Sequence, residues 1–382
     1  MTATRPEGTF GGLHYLIGDG LQALDITPAE HAHVTSHYIG LGDELDVHWS
    51  ATQGHNVISP QGSFLLGTVV RNIHRDDDID IDCVALRDID KGSTTQADLK
   101  ADVGVAARKY SAKPRSEYPA VSQCSRCWTL TWPGMHLDVL PAVPNRDKGG
   151  TNILITDRDV RRWLDSNPAG YAQWFRNQMR DEFLSERAIL SKKLEVEDVP
   201  DWRVKTTLQQ AVQALKRHRD IYFGDRLDDR PPSIVITTLA ALAYPGRGDL
   251  YDVLREITQT MGAYLTLVEG KWVLPNPAQK DENFADSWVA DPRRATDFFK
   301  WLEDAQSTFE NLGRRGGLDR IVPLLADAFG DRFAKAAAQS LGGSVHRTVQ
   351  EGRLQVVTGG ALVAATAGRT VRSHGFAGGS TR

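Results

Sequence analysis

Three aspartates have the spacing that two-metal chemistry requires. Asp80 and Asp82 lie in the segment 78–86, where polar and apolar residues alternate, so both carboxylates face one side of a predicted strand. Carboxylates that are adjacent on one strand face repel each other unless a cation lies between them. Asp138 lies in a second predicted strand of mostly apolar residues, where a lone carboxylate is costly to bury. Two Mg²⁺ ions would relieve both costs, because Mg²⁺ prefers carboxylate oxygens together with substrate phosphates.

A Gly-Ser step precedes these aspartates. Gly62 has no side chain, so its backbone can approach an anion closely. Ser63 adds a hydroxyl and a backbone N–H, and a helix that begins there would favour a phosphate. A turn followed by a serine N-cap would show the same two residues. The chain contains neither GxxxxGK nor GxGxxG, which argues against a P-loop NTPase and a Rossmann dinucleotide site.

Polar side chains in the second half of the chain could also contact an anion. On the predicted helix 204–223, Lys216 lies at the edge of the apolar stripe and Arg219 lies on it. A buried arginine needs an anionic partner, in the core or in a cleft. We expect Arg217 and Arg219 to be structural or to lie at the surface. Ser233 follows two prolines and precedes an apolar helix, which predicts an N-cap.

The elements that must position these residues change in type along the chain. Strands are predicted at 79–86, 128–132, 137–143 and 152–156, after a long helix that begins with a capping box at Thr27 and ends near Trp49. Helices are predicted at 159–165, 169–190, 204–223, 234–244, 250–268 and 295–312. This order indicates an α+β fold class. We expect a first lobe at 1–157 with the N-terminal spine helix, a helical lobe at 158–341, a substrate cleft between them and a flexible tail at 342–382.

Composition narrows the classes of function. The 382 residues carry a net charge of −4, so any phosphate site must be local and no general nucleic-acid binding is indicated. The three cysteines are too few for a disulfide framework, and a reducing compartment fits. Cys124 and Cys127 have CxxC spacing, but zinc would need two more ligands, so we expect the start of a strand there. The chain shows no apolar leader or membrane-length apolar run, and we expect a cytoplasmic protein.

Together these motifs resemble the polymerase-β-type nucleotidyltransferases. Gly62-Ser63, Asp80-x-Asp82 followed by CVAL, and LDVLPAV around Asp138 resemble the branch that holds the oligoadenylate synthetases, cyclic GMP-AMP synthase and the bacterial CD-NTases. The segments SNPAGYAQWF, LKRHRDIYF, SIVITTLAALAY and NPAQKDENFADSW resemble the bacterial CD-NTases in particular. The resemblance covers residues 27–341 and implies a polymerase-β-like lobe with a mixed sheet, followed by a C-terminal helical lobe.

The resemblance also implies the site residues. The catalytic residues that hold two Mg²⁺ ions, for which Mn²⁺ could substitute, would be Asp80, Asp82 and Asp138. The residues that bind the donor triphosphate would be Gly62, Ser63, Lys216 and Ser233. The aspartate pair could also be read as Asp78-x-Asp80. We choose Asp80 and Asp82 because in the family the second acid leads directly into an apolar strand, as Asp82 does.

The activity that the resemblance implies is synthesis of a second messenger. An Mg-dependent nucleotidyltransferase (EC 2.7.7) would join NTPs, here ATP and GTP, into a cyclic oligonucleotide for CBASS anti-phage signalling, with a cyclic GMP-AMP-type dinucleotide as the expected product. Transfer of one nucleotide to a tRNA end, a small molecule or a protein is the alternative, and an inactive binding module is a third hypothesis. We expect a monomer without a membrane or obligatory nucleic-acid partner. An operon-encoded enzyme conjugates the tail in some relatives, but the final residues Ser380, Thr381 and Arg382 argue against conjugation here.

Overall fold

Sheet-forming elements come first in this chain and helices follow, as the sequence predicts. The structure is a computed structural model that describes residues 12–49, 57–71, 73, 78–114, 118–157, 162–195, 199–314, 318–350, 354–356, 362–364 and 369–370. None of the helices within these ranges has the length and apolar character needed to cross a membrane. The predicted α+β class is confirmed.

A mixed sheet forms the centre of the first lobe. Its strands are β1 (Ile58–Gln61), β2 (Ile79–Leu86), β3 (Ala120–Gln123), β4 (Trp128–Trp132), β5 (Met135–Pro144), β6 (Ile153–Ile155) and β7 (Leu164–Ser166). Their order across the sheet is β1-β2-β5-β4-β3, with β6 paired to β5 and β7 paired to β6. The β2–β5 pair is parallel, and the other pairs are antiparallel. The parallel pair lies at the centre of the sheet and carries the aspartates.

Helices cover one face of this sheet. The helices of the first part of the chain are α1 (Leu13–Gln22), α2 (Pro28–Trp49), α3 (Gly62–Leu66) and α4 (Gln96–Ser111). The capping box at the start of α2 is confirmed, since the Thr27 N–H donates to Glu30 Oε2 at 2.7 Å and the Glu30 N–H donates to Thr27 Oγ1 at 3.2 Å. Apolar residues of α2, α4 and the inner sheet face form one core. The other face of β2 and β5 carries the aspartates at one end and a small apolar cluster around Val84 and Ala142 at the other.

The second lobe is a helical bundle with α7 at its centre. Its helices are α5 (Pro168–Gln178), α6 (Arg180–Leu194), α7 (Thr207–Phe223), α8 (Ser233–Leu242), α9 (Leu250–Thr260), α10 (Ser287–Ala290), α11 (Arg293–Arg314), α12 (Leu318–Phe329) and α13 (Asp331–Gln350). Two small hairpins are inserted, β8 (Thr266–Val268) with β9 (Lys271–Val273) and β10 (Pro275–Asn276) with β11 (Gln279–Asn283). A capping box formed by Thr206 and Gln209 begins α7, whose side chains are almost all buried. The polar residues of α7 must therefore find partners inside the protein.

The structure differs from the predicted lobe boundaries at both ends of the first lobe. Residues of α1, among them Leu16, Ile17 and Leu21, join the core of the helical lobe, and α1 packs against α13. These apolar side chains are almost fully buried among the helices, whereas α2 and α4 cover the sheet. The predicted helix 159–165 is wrong at its end, because 164–166 form β7 and extend the sheet beyond 157. Residues 158–161 lie outside the described residues.

Some predicted helices are shorter or longer than expected. The helix 169–190 is two helices that meet at Met179, and the helix 250–268 ends at Thr260 before a 3₁₀ turn and β8. The tail predicted from 342 is wrong at its start, because α13 continues to Gln350 through two glycines. Each glycine costs a helix only about 1 kcal/mol, which a packed helix can tolerate. Three short strands follow, β12 (Leu354–Val356), β13 (Leu362–Ala364) and β14 (Arg369–Thr370), and the last residues lie outside the described ranges.

Candidate active site

The aspartates of β2 lie on the polar face of the sheet. Ile79, Ile81 and Cys83 are buried on the opposite face, whereas Asp80 is exposed and Asp82 is half-buried. This confirms the predicted period of two along the strand. Because β2 packs its isoleucines against the helices, the two carboxylates are directed to the open side.

Asp138 lies beside Asp82 on the same face. In the parallel β2–β5 pair, the Cα atom of Asp82 is the partner of the Cα atom of Asp138. On the other side of β5, the hydroxyl of Thr129 donates to Asp138 Oδ1 at 2.5 Å. Burial, reinforced by Asp138 and then Asp80, raises the pKa of Asp82 to about 6, and Lys216 acts in the opposite direction. The three carboxylates are therefore close enough to repel each other.

Asp78 has a different partner. Its Oδ2 atom lies 3.0 Å from His136 Nε2, and His136 Nδ1 lies 3.1 Å from the hydroxyl of Thr131. This pairing engages Asp78 with a side chain of β5. It favours Asp80 and Asp82 as the pair that faces a ligand, although Asp76 and Asp77 lie outside the described residues.

A cavity of about 330 Å³ lies between the aspartates of β2 and helices α7 and α8. It brings together most of the residues predicted from the sequence, which are Gly62, Ser63, Asp80, Asp82, Lys216 and Ser233. Asp138 does not line the cavity and reaches it only through its neighbour Asp82. The cavity therefore has an acidic wall on β2 and a second wall that comes from α7 and α8.

Gly62 lines this cavity, and its backbone passes close to the side chain of Asp82. Its φ angle is +58°, and a Cβ atom at this position would lie 2.6 Å from Asp82 Oδ2. Both the backbone conformation and the contact therefore require glycine. The hydroxyl of nearby Thr68 is buried and has no hydrogen-bond partner within the described part of the chain, so a polar ligand in the cavity would satisfy it.

The wall opposite the aspartates is cationic. Lys216 is buried and donates to the carbonyl of Thr68 at 2.9 Å. Burial, followed by the neighbouring Arg219, lowers the pKa of Lys216 to about 8, while Asp220 and the β2 aspartates oppose the shift. Asp220 Oδ1 lies 2.7 Å from Arg219 Nη2 and 3.2 Å from Arg230 Nη1. Two arginines thus share one carboxylate, and Lys216 adds a third cation, which leaves this wall with positive charge for an anion.

The structure corrects one assignment made from the sequence. Ser233 is not the N-cap of α8, because Pro232 takes that position and the Ser233 hydroxyl accepts from Arg219 Nη1 at 2.9 Å. Arg219 is buried and has structural partners in Asp220 and Ser233, and it also lines the cavity. Arg217 does hold the fold together, since its Nε atom donates to the carbonyl of Phe329 at 2.8 Å.

Sequence reasoning missed part of the cationic wall. The sequence did indicate a special role for Arg219, because a buried arginine on the apolar stripe of α7 requires an anionic partner. Its partner is the next residue, Asp220, and both line the cavity. Arg230 had no signal, because it precedes α8 in a segment without periodicity.

The comparisons with known proteins agree with this geometry. The family model for the Second Messenger Oligonucleotide or Dinucleotide Synthetase domain matches residues 19–178. The chain is 34% identical over 218 residues to a c-di-GMP synthase of Roseivirga ehrenbergii, and this match takes in 56% of the chain and 57% of that relative. It is 26% identical over 378 residues to the cyclic dinucleotide synthase CdnG of Bradyrhizobium diazoefficiens, over 91% of the chain and 87% of that relative.

Two solved structures share the fold. The CD-NTase CdnG of Bradyrhizobium diazoefficiens in complex with GTP superposes with a TM-score of 0.67 at 22% identity, over 86% of this chain and 97% of that chain. The DncV cyclic AMP-GMP synthase of Vibrio cholerae in complex with nonhydrolyzable GTP superposes with a TM-score of 0.61 at 13% identity, over 85% of this chain and 97% of that chain. This chain is therefore similar in fold to the bacterial CD-NTases, and its residues 19–178 are similar to the family model.

The residues that line the cavity fit a divalent metal that is bound together with a polyphosphate. No three His, Cys, Asp or Glu side chains of the described residues converge closely enough to hold a metal alone. Mg²⁺ does not require such a cage, since it usually takes one or two carboxylates together with phosphate and water oxygens. Asp80 and Asp82 supply oxygens on one strand face, and the raised pKa of Asp82 shows that a cation would stabilise its ionised form.

Replacing Asp82 with asparagine should stabilise this protein in the absence of divalent cations. Because the pKa of Asp82 is raised to about 6, the native state holds its proton more tightly than the unfolded chain does. Stability is therefore lost as pH rises from the unfolded pKa through about 6, and it stays low above that pH. We expect Asp82→Asn to raise the free energy of unfolding by about 1 to 2 kcal/mol at pH 8 and to change it little at pH 4.

Urea denaturation at the two pH values, in EDTA, measures this difference. Asp78→Asn is the matched control, since it removes a carboxylate that already has His136 as its partner and should not stabilise the protein. An Asp82→Asn variant that is no more stable than the parent at pH 8 would show that neither burial nor the neighbouring carboxylates make ionised Asp82 costly to the fold.

Proposed function

We propose that this protein is a CD-NTase that joins nucleoside triphosphates into a cyclic dinucleotide. The observation that carries the proposal is a single cavity with two carboxylates on β2 facing Lys216, Arg219 and Arg230. Nucleotidyl transfer needs these two kinds of group, because the reacting phosphate and its polyphosphate leaving group both carry negative charge. The family model and the names of the two relatives support a cyclic dinucleotide product.

The proposed roles follow from the positions of the residues. Asp80 and Asp82, with Asp138 beside them, would hold divalent metal ions, which when bound lower the pKa of an attacking hydroxyl and offset phosphate charge. Gly62 leaves its backbone open to an anion, and Ser63 adds a hydroxyl at the same wall. On the opposite wall the residues in position to bind the triphosphate are Lys216 and Ser233, together with Arg219 and Arg230.

A short series of contacts orients the triphosphate wall. Lys216 is held by the carbonyl of Thr68, which comes from the segment after α3. Ser233 is held by Arg219, and Asp220 keeps Arg219 and Arg230 together. These groups are therefore positioned before a ligand arrives, so little ordering is needed on binding. Positioning and electrostatic stabilisation would supply most of the rate enhancement.

The relatives indicate which bases to test. One relative is a c-di-GMP synthase, and both superposed structures hold GTP or an analogue of it. These names favour a product that contains guanine. We therefore propose c-di-GMP alongside the cyclic GMP-AMP-type dinucleotide expected from the sequence. The role in anti-phage signalling is proposed from the family alone.

Labelled nucleotides test the proposal directly. The protein is incubated with Mg²⁺ and each labelled NTP alone or in pairs, and the products are treated with phosphatase. We expect a phosphatase-resistant product from GTP alone for c-di-GMP, or only from GTP with ATP for cyclic GMP-AMP. A labelled macromolecule would instead show single-nucleotide transfer, and absence of NTP consumption would contradict any synthase activity. Asp82→Asn should form no product, whereas turnover retained there and lost in Asp78→Asn would contradict the choice of aspartate pair.

Replacing Lys216 should weaken nucleotide binding more than it slows the maximal rate. A lysine that binds the triphosphate before and during the reaction supplies mainly uniform binding. We expect Lys216→Ala to raise the apparent KM for NTPs about tenfold or more, with a smaller change in kcat. Lys205→Ala is the control, because Lys205 lines a different cavity and pairs with Asp25. An unchanged KM in Lys216→Ala would remove this residue from the site.

Replacing Gly62 should disable the site without unfolding the protein. An alanine Cβ would meet Asp82 Oδ2, so it must displace that carboxylate or the backbone. Gly134→Ala is a matched control, since Gly134 also has a positive φ angle (+78°), but a Cβ atom added there would meet no atom of the described residues within 4 Å. Both variants should lose about 1 kcal/mol of stability, and only Gly62→Ala should lose most of its turnover. Equal turnover in the two variants would show that the close contact between the Gly62 backbone and Asp82 has no effect on catalysis.

A further inference from the structure

The hairpin between β3 and β4 closes with two cysteines. The Cys124 N–H donates to the carbonyl of Cys127 at 3.0 Å, next to the last register pair of the two strands, Gln123 and Trp128. Both cysteines are unbridged, and the side chain of Cys124 is exposed whereas that of Cys127 is buried. The turn therefore places one accessible and one protected thiol directly opposite each other.

Both thiols contact the hydroxyl that holds Asp138. Cys124 Sγ lies 3.3 Å and Cys127 Sγ lies 3.9 Å from Thr129 Oγ1. The same hydroxyl donates to Asp138 Oδ1 at 2.5 Å. One side chain thus links the cysteine pair to a carboxylate of the proposed catalytic site.

The backbone of the turn is held from two sides. The buried ammonium of Lys100 donates to the carbonyls of Cys124 and Ser125. Arg126 Nε donates to Asp157 Oδ2 at 2.8 Å. Because these contacts hold the turn in place, a change in the positions of the sulfur atoms must be accommodated by the side chains between them and Asp138.

We propose that Cys124 and Cys127 are a redox modification site at which a peroxide forms a reversible disulfide that displaces Thr129 from Asp138. Formation of the disulfide depends on the two thiols alone, whereas the expected effect on turnover rests on the proposed function. A backbone hydrogen bond joins the two residues next to the last antiparallel register pair, where the Cα separation of a hydrogen-bonded pair is about 5.5 Å, and disulfides span about 4.4 to 6.8 Å. Both sulfur atoms also contact the same oxygen, Thr129 Oγ1, at 3.3 and 3.9 Å.

The chemistry balances with one peroxide molecule. The exposed Cys124 thiolate attacks a peroxide oxygen, the O–O bond breaks, and the products are a sulfenic acid and hydroxide. The Cys127 sulfur then attacks the sulfenic sulfur, the S–O bond breaks, and hydroxide leaves and takes up the thiol proton as water. In total two thiols are oxidised to one disulfide, and one hydrogen peroxide is reduced to two waters. A dithiol reductant reverses the change by thiol–disulfide exchange.

Disulfide geometry explains the effect on Asp138. The sulfur atoms must approach to about 2.05 Å with a dihedral angle near 90°, and both S–H groups are lost, so the contacts of the two thiols with Thr129 Oγ1 change. The Thr129 hydroxyl would rotate or shift, and Asp138 would lose the donor that orients its carboxylate. Displacement of a reacting group by an ångström can cost about a hundredfold in rate. We expect oxidation to lower turnover about tenfold or more and dithiothreitol to restore it.

Two readouts that do not need activity test the disulfide. The full chain is treated with hydrogen peroxide, and thiols are counted under denaturing conditions while the intact mass is measured. We expect a loss of two of the three thiols and of the mass of two hydrogen atoms, with a peptide that links Cys124 to Cys127. Addition of oxygen to the thiols without a link between them would overturn the proposal.

Variants test the connection to Asp138. Cys124→Ser should keep the rate of the reduced parent and should not respond to peroxide. Thr129→Val should still form the disulfide, but its oxidised and reduced forms should have equal rates, whereas Thr129→Ser should respond as the parent does. A disulfide that forms in the parent and leaves turnover unchanged would overturn the connection, as would a Thr129→Val variant that responds fully.

A measurement of metal affinity distinguishes failure of this inference from failure of the proposed function. Mn²⁺ affinity is measured by electron paramagnetic resonance with a nonhydrolysable GTP analogue, before and after oxidation. If the reduced protein makes no product, the proposed function fails, and a weaker Mn²⁺ affinity after oxidation would still support the inference. An affinity that oxidation does not change would overturn it.

Discussion

The parallel pairing of β2 with β5 is the constraint on which the candidate site depends. This register places Asp82 beside Asp138 on one face of the sheet and packs the alternating isoleucines against α2 and α4 on the other. A shift of one residue would exchange the two faces, burying the aspartates and exposing the isoleucines. The apolar core of the first lobe therefore fixes the register, and the register brings the carboxylates together. Burial raises the pKa of Asp82, the neighbouring carboxylates of Asp138 and Asp80 raise it further, and a bound cation would offset this stability cost.

The second lobe supplies the opposite charge through one helix. The apolar residues of α7 anchor it in the helical core, and Lys216, Arg219 and Asp220 are thereby brought to the cavity facing β2. Buried cations are costly unless they have partners, and each of these has one: Lys216 a carbonyl, and Arg219 the neighbouring carboxylate. The cavity is thus acidic on one wall and basic on the other. A polyphosphate with a divalent cation has the matching distribution of charge.

Much of this arrangement could be read from local patterns. The period of two predicted β2 and the face of its aspartates, and the capping box predicted the start of α2. Predictions failed where a partner distant in sequence decides the structure. Residues 164–166 form a strand because β6 offers an open edge, and α1 joins the helical core because α13 covers it. Ser233 lies one residue after the N-cap of α8, and its hydroxyl accepts a hydrogen bond from the guanidinium of Arg219 on α7.

The sequence by itself determined the chemistry of this protein: which residues carry carboxylates, where glycine permits a close approach, and which family the motifs resemble. These are properties of residue types at short spacing, where hydrogen bonding and side-chain alternation act locally. Only the tertiary structure decided which groups meet. It places Asp138 next to Asp82 yet outside the cavity lining, and it adds Arg230 to the basic wall. Such contacts depend on how apolar surfaces pack between distant segments, and no local pattern in the chain specifies that packing.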